Sequence, residues 1–410
     1  MGVDAIAAVS VFFPILFFLL AFVIGISAGT TVLVGQAWGA QNLEKVRCVI
    51  GSTLFITLIG GTLIAILGLV FAEQILNVLG TDPKVMHLSL PYVQWMLVGS
   101  PLLFVYIIYT SILRGVGDSV TPLIALSLTS LIGLVVTPVL LKGYFGFPEL
   151  GIIAPAVATI MGYAAVLIFL AFYLNYKNHP LKIDRQLLRS IRHDPSLSKL
   201  ILKLGIPTGV QMVTTSLAGL VIIGLVNRYG AHATAAYGAV NQVLNYIQFP
   251  AMSISIAASI FAAQAIGAGK SDLLAKVTRT ALGMNILFTG TLITLAYLFS
   301  KYLMALFITD HSVVVLGQQL LFIVLWSILF FGASAIFASS MRASGTVNVP
   351  MMINILTILL IEVPCAYWFS SMWGLNGIWT AYALAFVCLC IFQASYYQFV
   401  WKKRDIKRLI

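Results

Sequence analysis

Polar side chains inside the apolar stretches of this chain are few, and most of them share one short segment. Within AVNQVLNYIQFP at 239–250, the polar side chains recur at the spacing of one helical face and its adjoining row: Asn241, Gln242, Asn245, Tyr246 and Gln248. Amides in hydrocarbon are costly unless they bond across helices or line water. The row therefore predicts either interhelical hydrogen bonds or the polar wall of a cavity, and its one-sided spacing favours the wall.

A carboxylate lies well inside another apolar stretch, at Glu362 in ILLIEVPCAYW. Ionisable groups at membrane depth usually serve ion or substrate pathways. The isolation of Glu362 therefore predicts a protonatable functional group, and a hydrogen bond to a neighbouring helix is the structural alternative.

The elements that position these residues are long apolar helices. The chain is 60% hydrophobic and 9% charged, with a mean hydropathy of +1.04, which is typical of a polytopic membrane protein and not of a soluble domain. A span needs about 20 apolar residues, and long continuous runs exclude a strand barrel. The sequence predicts an all-α fold with eleven spans, at 5–37, 43–72, 85–112, 119–141, 150–174, 200–226, 233–265, 273–300, 312–340, 347–370 and 376–401.

The chain repeats itself at a fixed offset of 228 residues. VGQAWGA at 34–40 returns as AAQAIGA at 262–268, and LRGVGDSVTP at 113–122 returns as MRASGTVNVP at 341–350. We expect these repeated segments to form turns and gating elements, through Gln36, Gly39, Arg114, Gly117, Asp118, Gln264, Gly267, Arg342 and Gly345. Two homologous helical bundles in an apolar chain are typical of secondary transporters.

Basic residues predict the orientation. If the spans alternate, nineteen of the Lys and Arg residues share one side, and the other side has Lys84, Lys142, Arg228 and Lys301. The crowded side is then cytoplasmic and includes the C-terminus. The net charge of +11 is explained by such loops and by contact with anionic lipid, without nucleic acid.

The repeat also organises the domains. We predict an N-terminal lobe at 1–175, a cytoplasmic linker at 176–199, a C-terminal lobe at 200–401 and a basic cytoplasmic tail at 402–410. Apolar and basic residues alternate in the linker, which predicts an amphipathic helix on the membrane surface. Segment 200–226 has no repeat partner after Met1, so we expect that the first lobe lacks its first helix and that a longer upstream reading frame supplies it.

Enzyme chemistry and metal sites are not indicated. The GKS at 269–271 lacks the glycine that a phosphate loop requires at position 264. Cys48, Cys365, Cys388 and Cys390 lie in apolar spans without CxxC spacing. We therefore expect no catalytic residue, no cofactor and no metal ligand.

The repeat of twice six helices, the GQxxGA ends, LRGVGDSVTP and the GIP at 205–207 together resemble the multidrug and toxic compound extrusion (MATE) family, of bacterial type, along essentially the whole chain. The resemblance implies two helical bundles around a central cavity and export of cationic, apolar compounds, driven by entry of Na⁺ or H⁺. It implies no enzyme activity.

The carboxylates that such relatives use for coupling are absent from the matching positions. Where one branch has a Glu in the seventh helix, this chain has polar residues that include Gln211 and Thr214. The coupling ion, Na⁺ or H⁺, therefore stays open. We expect a monomeric inner-membrane (plasma-membrane) antiporter of small organic cations whose lobes rock against each other. The alternatives are a lipid-linked saccharide flippase of the same superfamily and a truncated, non-transporting membrane protein.

Overall fold

The fold is helical throughout the described residues. The computed structural model describes residues 3–192, 194–308 and 310–410, and no strand occurs among them. Eleven helical spans of these residues are long and apolar enough to cross a membrane. The predicted all-α polytopic fold is confirmed. The chain forms two compact units, unit 1 (Met1–Gly209) and unit 2 (Val210–Ile410).

Unit 1 is built around α5, which packs against α2 and α3. Its core includes the buried side chains of Ile50, Phe104 and Ile108. The helices of this unit, in chain order, are α1 (Val3–Ser10), α2 (Phe12–Gly39), α3 (Leu43–Val70), α4 (Ala72–Val78), α5 (Pro83–Gly115), α6 (Val120–Lys142), α7 (Ala154–Tyr176), α8 (Arg185–Ser190) and the first part of α9 (Pro195–Val226).

Unit 2 follows the same plan around α10, α14 and α17. A 3-10 turn at Leu325–Ser327 joins α13 to α14, and a π-helical turn at Ile358–Glu362 joins α15 to α16, so that each pair forms one span. After the end of α9, the helices are α10 (Ala231–Gly267), α11 (Leu273–Leu298), α12 (Ser300–Ala305), α13 (His311–Val324), α14 (Ile328–Ala343), α15 (Asn348–Thr357), α16 (Val363–Trp373) and α17 (Leu375–Phe399).

The ends of the helices repeat at the same offset of 228 residues as the sequence motifs. Three pairs of helix ends are 228 residues apart: Gly39 and Gly267, Val70 and Leu298, Gly115 and Ala343. Asp82 and Asp310 are likewise 228 apart, and each side chain caps a helix by accepting a backbone N–H at 2.8 Å. The two units are therefore copies of one scaffold, and we call residues 228 apart repeat partners.

The linker differs from its prediction. Instead of one amphipathic helix through 176–199, the described residues of this range contain the six-residue helix α8 and the first turn of α9. Leu181 and Leu187 are buried, and the hydroxyl of Tyr109 donates to the carbonyl of Leu181 at 2.6 Å. The predicted surface helix is wrong, because Pro180 and the cap at Asp184 confine the helix while the two leucines bury their side chains in unit 1.

The boundary between the compact units also lies further along the chain than the predicted start of the C-terminal lobe. It falls within α9, after Gly209, so that the first part of this helix belongs to unit 1. There Gly205 lies so close to Gly25 of α2 that a Cβ on either glycine would come within 2.7 Å of the other's carbonyl oxygen. Small residues let two helices approach in this way, which ties the start of α9 to unit 1.

Candidate functional site

Glu362 lies at the end of the π-helical turn in the middle of the α15–α16 span. The N–H of Val363 donates to the carbonyl of Ile358, five residues earlier, and Pro364 then has no N–H to donate. Such π-turns interrupt the regular ladder and are frequent at functional sites. The Glu362 side chain is half-buried. The backbone here is therefore irregular at the depth where the carboxylate lies.

Two tyrosines from other helices of unit 2 pair through their hydroxyls. The π-turn that ends at Glu362 packs against α17, and in that helix the hydroxyl of Tyr382 lies 3.2 Å from that of Tyr237 in α10. The ring of Trp379 packs 5.3 Å from Tyr237 and 5.6 Å from Tyr382, measured between centroids. This group, which we call the tyrosine cluster, consists of Tyr237, Trp379 and Tyr382.

No basic side chain on the helices packed against the π-turn neutralises Glu362. The turn packs against α15, α16 and α17. Their sequences contain no Lys, Arg or His between Asn348 and Phe399, and their titratable side chains besides Glu362 are Cys365, Tyr367, Tyr382, Cys388, Cys390, Tyr396 and Tyr397. An ionised carboxylate without a cationic partner is costly at membrane depth, so Glu362 is suited to bind a proton or a cation.

The polar row of α10 begins at the tyrosine cluster. Tyr237 lies four residues before Asn241, one turn earlier on the same face. Along the row, exposure increases from buried Tyr237 through half-buried Asn241 to exposed Asn245. The opposite face, with Val243 and Ile247, is buried in the core of unit 2. The row thus connects the tyrosine cluster to the exposed surface of α10.

The adjoining row of α10 is exposed and partly aromatic. The amide of Gln242 donates to the hydroxyl of Tyr246 at 3.4 Å, and Tyr246 meets Phe249 edge to face at 6.4 Å. Small residues of α10 leave an open cleft of about 580 Å³ beside Gln242, which Phe307 and Ile308 also line. The lining of this cleft is mostly apolar, and the amide of Gln242 is its polar group.

The other predicted pathway residues, Gln211 and Thr214, lie on α9 just inside unit 2 and are half-buried. The Thr214 hydroxyl donates to the carbonyl of Val210 at 3.0 Å, within its own helix. Its oxygen can still accept a hydrogen bond. The described contacts do not bring these two residues to Glu362, and their pathway role stays a prediction.

The repeated motif residues lie at the ends of helices. Gln36 is buried one turn before the end of α2, where Gly39 is the last residue, and Gln264 and Gly267 occupy the corresponding places in α10. Ala40 and Ala268 donate from their N–H groups to the carbonyls of Gln36 and Gln264, respectively. The first repeated motif therefore corresponds to the same backbone geometry at the end of each helix.

The second repeated motif forms matching turns. Gly117 and Gly345 both have positive φ, at 95° and 84°, which favours glycine. Arg114 donates to the hydroxyl of Ser111 at 2.8 Å, while Arg342 occupies the matching half-buried place at the end of α14. Asp118 caps α6 by accepting the N–H groups of residues 120 and 121. A gating role for these residues stays a prediction.

Metal-binding groups are not found among the described residues: no three His, Cys, Asp or Glu side chains of residues 3–192, 194–308 and 310–410 come together. The structure does assemble the tyrosine cluster, on α10 and α17, and it packs the π-turn of Glu362 against α17. Sequence reasoning missed Tyr237 and Tyr382. The four-residue spacing between Tyr237 and Asn241 was a signal for the first, but Tyr382 is 145 residues from its partner in the chain.

A duplicated helical bundle with eleven membrane-length spans defines a multi-pass membrane protein. The family model MatE matches residues 1–139 and 207–368, more than half of the chain. The chain therefore belongs to the MATE family of multidrug efflux proteins, as its motifs predicted, and the members of this family are transporters.

Relatives along the whole length agree with this assignment. The chain is 44% identical over 412 residues to the probable multidrug resistance protein YoeA of Bacillus subtilis (strain 168), covering 100% of this chain and 89% of the relative. It is 26% identical over 397 residues to a protein named FAD transporter from Shewanella oneidensis, covering 97% and 87%. A crystal structure of MATE in complex with MaD3S shares the fold, with a TM-score of 0.89 at 20% identity over 97% of this chain and 88% of that one.

Proposed function

We propose that this protein exports cationic or amphipathic organic compounds by antiport with a cation, either H⁺ or Na⁺. The observation that carries the proposal is the carboxylate of Glu362 in mid-span, without a basic partner on the helices packed around it. A carboxylate there gains most when it binds a proton or a metal cation, because either neutralises its charge in a poorly hydrated place. The multidrug-resistance name of the relative that is 44% identical supports the substrate class.

Ion and substrate would compete through the polar row of α10. Ion release leaves Glu362 charged, and the charged carboxylate attracts hydrogen-bond donors from the tyrosine cluster and a cationic substrate to the exposed amides one and two turns along. Ion binding removes that attraction. Asn241 and Asn245 then contact the polar groups of the substrate, while Tyr246 and Phe249 offer aromatic faces to its cationic or apolar part.

Transport further requires that the site open to each side of the membrane in turn. We propose that the two homologous bundles rock against each other and that ion binding at Glu362 biases this equilibrium. A ligand shifts such an equilibrium only by its differential affinity for the two states. The coupling ion must therefore bind more tightly in one of them.

We place the protein in the plasma membrane as a monomer, with the basic loops, the linker and the C-terminus in the cytoplasm in contact with anionic lipid. The proposal rests on the distribution of Lys and Arg. Single cysteines at Asn178 and Gly146 in a cysteine-free background test it with an impermeant thiol reagent on intact cells. We expect labelling at residue 146 alone, and labelling at residue 178 alone would reverse the orientation.

The central experiment is ethidium transport by the purified chain in liposomes, driven by a pH gradient or a Na⁺ gradient. We expect one of the two gradients to drive ethidium transport in the opposite direction. Glu362→Gln should lower the rate of this transport at least about tenfold, because it removes the charged group of the site. Ethidium binding by the same variant should persist. Gradient-driven transport at the wild-type rate in Glu362→Gln would contradict the proposed coupling site.

A further inference from the structure

The linker helix α8 packs one face against unit 1 and leaves the other face uncovered. Leu187 is buried on the covered face. The uncovered side has four exposed residues in and just after α8, which we call the arginine face: Arg185, Leu188, Arg189 and Arg192. We propose that the arginine face binds anionic phospholipid. The inference rests on the cytoplasmic, membrane-side placement of the linker proposed above, and it names the residues that contact the lipid and the lipid class that they select.

Contacts with α3 indicate the depth of α8 in the membrane. The hydroxyl oxygen of Ser190 lies 3.1 Å from the carbonyl oxygen of Arg47, and a Cβ on Gly51 would collide with the carbonyl of Ser190. The first turns of α3 are charged, at Glu44 and Arg47 among others, and the next charged residue along the chain is Glu73. Ser190 therefore lies where the charged start of this span meets its apolar part, which is the level of the lipid headgroups.

The carboxylates of the linker are already engaged, so they do not neutralise the arginine face. Asp184 caps α8 by accepting the N–H of Leu187 at 2.7 Å, and it pairs with Arg47 at 3.5 Å. Asp194 caps α9 by accepting the N–H groups of residues 196 and 197. Within the described part of the chain, no guanidinium of the arginine face takes part in an ion pair or a hydrogen bond. These charges are therefore available to phosphate groups.

The composition of the arginine face fits a lipid better than a free anion. Leu188 is 56% exposed, and it lies between Arg185, one turn earlier, and the neighbouring Arg189. Guanidinium groups donate paired hydrogen bonds to phosphate, while their aliphatic stems and a leucine side chain gain from contact with the acyl boundary. Basic residues around an apolar side chain at headgroup level are typical of helices that bind anionic membranes. A free phosphate would leave the exposed leucine unexplained.

The basic tail of unit 2 lacks this combination and supplies a matched control. Lys402, Lys403 and Lys407 are exposed, as the arginines of α8 are. The apolar residues of the tail pack against unit 2 instead, with Ile406 beside its core and Leu409 beside the turn at residue 345. The tail therefore presents the same number of cations without an exposed leucine among them.

The test places a nitrobenzoxadiazole fluorophore on Leu188→Cys of the full chain, in a cysteine-free background and in nanodiscs of equal parts phosphatidylcholine and phosphatidylglycerol. Nitroxide-labelled acyl chains are carried by one lipid or by the other, at the same nitroxide content. An arginine at an anionic surface increases lipid association roughly fivefold, so we expect phosphatidylglycerol to quench about fivefold more than phosphatidylcholine. About 1 M NaCl should reduce this quenching ratio, because salt screens exposed charges.

The critical variant replaces the three arginines together: Arg185→Gln, Arg189→Gln and Arg192→Gln. The control variant replaces three lysines of the tail: Lys402→Gln, Lys403→Gln and Lys407→Gln. The arginine variant should lower the quenching ratio to about one, and the lysine variant should leave it unchanged. Thermal unfolding checks that both variants fold, as expected for exposed side chains. The salt dependence tests the same charges without a substitution.

Three results would overturn the proposal. A label at residue 188 that neither lipid quenches would show that the arginine face contacts water. Equal quenching by the two lipids in the wild-type background would show that the face does not select anionic headgroups, and so would an unchanged ratio in the folded arginine variant. These measurements involve neither ethidium nor an ion gradient. Their failure would therefore leave the antiport proposal standing, and a failure of antiport would leave the lipid result standing.

Discussion

The two units use one scaffold and differ in what they expose at membrane depth. Unit 2 exposes a polar row on α10, and the repeat partners in unit 1 are aromatic: Phe13, Phe17 and Phe18 for Asn241, Asn245 and Tyr246. These phenylalanines are themselves exposed, between 52% and 62%. Both units therefore present the same helical face, but only unit 2 presents hydrogen-bonding groups on it. The difference indicates that the face does not determine the fold and is free to specialise.

The two units also differ in the segments that pack beside the repeated turns, which are the linker in unit 1 and the C-terminal residues in unit 2. In unit 1 the linker makes polar contacts in addition to burying Leu181 and Leu187: His179 lies 3.7 Å from Asp118, and Arg47 pairs with Asp184 at 3.5 Å. In unit 2 the C-terminal residues pack by apolar contacts, with Trp401 buried against Tyr397 and Leu409 seated beside Gly345. Leu181 and Leu409 are repeat partners, so an apolar side chain occupies this position in both units, and in unit 1 the two polar pairs add to it.

The largest expected effect comes from Trp401. Trp401→Ala should destabilise unit 2 by about 3–5 kcal/mol, because it empties a buried site and leaves the hydroxyl of Ser344 without the indole N–H that donates to it at 2.9 Å. Its repeat partner Tyr173 is half-buried, and Tyr173→Ala should cost about 1 kcal/mol. Thermal unfolding in detergent measures both. Equal losses of stability would show that Trp401 and Tyr173 contribute equally to their units.

The next effect concerns the first part of α9. Gly25→Leu should destabilise unit 1 by about 1–3 kcal/mol, since its side chain would collide with the backbone of Gly205. Its repeat partner Ser253 is exposed, and Ser253→Leu should change stability by less than about 0.5 kcal/mol. The thermal unfolding midpoints of the two variants test this difference in stability. A tolerated Gly25→Leu would mean that α9 is not tied to α2 through this crossing.

A smaller effect tests the polar row directly. Asn245→Leu should slow ethidium transport by about tenfold, the loss of roughly one hydrogen bond to a charged or polar partner, with unchanged thermal stability. Phe17→Leu, at the repeat partner, should reduce transport by less than about threefold. Rates in liposomes at matched protein content give the comparison. Lowered stability with normal transport in Asn245→Leu would assign the row to interhelical bonding.

The smallest expected effect is a pH dependence in the attachment of the linker to unit 1. Partial burial lowers the pKa of His179 below its usual 6.5, although Asp118 opposes the shift and Lys177 adds to it. The folded linker then binds a proton less readily than the released one, so its attachment is strongest above pH 6.5 and weakens as the pH falls through that value.

Limited trypsin cleavage measures this response. We expect cleavage after Arg189, relative to cleavage after Lys403 in the same molecule, to increase about twofold on acidification. The His179→Gln variant should show a constant ratio. A ratio that decreases on acidification in the wild type would mean that the pair with Asp118 outweighs burial.

Some of the site followed from the sequence and some did not. Glu362 and the row from Asn241 to Tyr246 were visible because an ionisable or amide group stands out in a long apolar run. The linker was misjudged, since alternation of Leu and basic residues does not reveal that Leu181 and Leu187 are covered by the rest of unit 1. Burial is a property of neighbours distant in the chain.

The sequence by itself determined the eleven spans, the duplicated plan and the family, because apolar runs, Gly and Pro turns and helix caps are local signals that recur 228 residues apart. Only the tertiary structure decided that Tyr237 and Tyr382 are neighbours and that the π-turn of Glu362 packs against α17. Different helices supply these residues, and no periodicity within one helix relates residues on another. The π-turn that carries Glu362 was also decided there, since a helical run followed by Pro is compatible with several backbone paths until packing selects one.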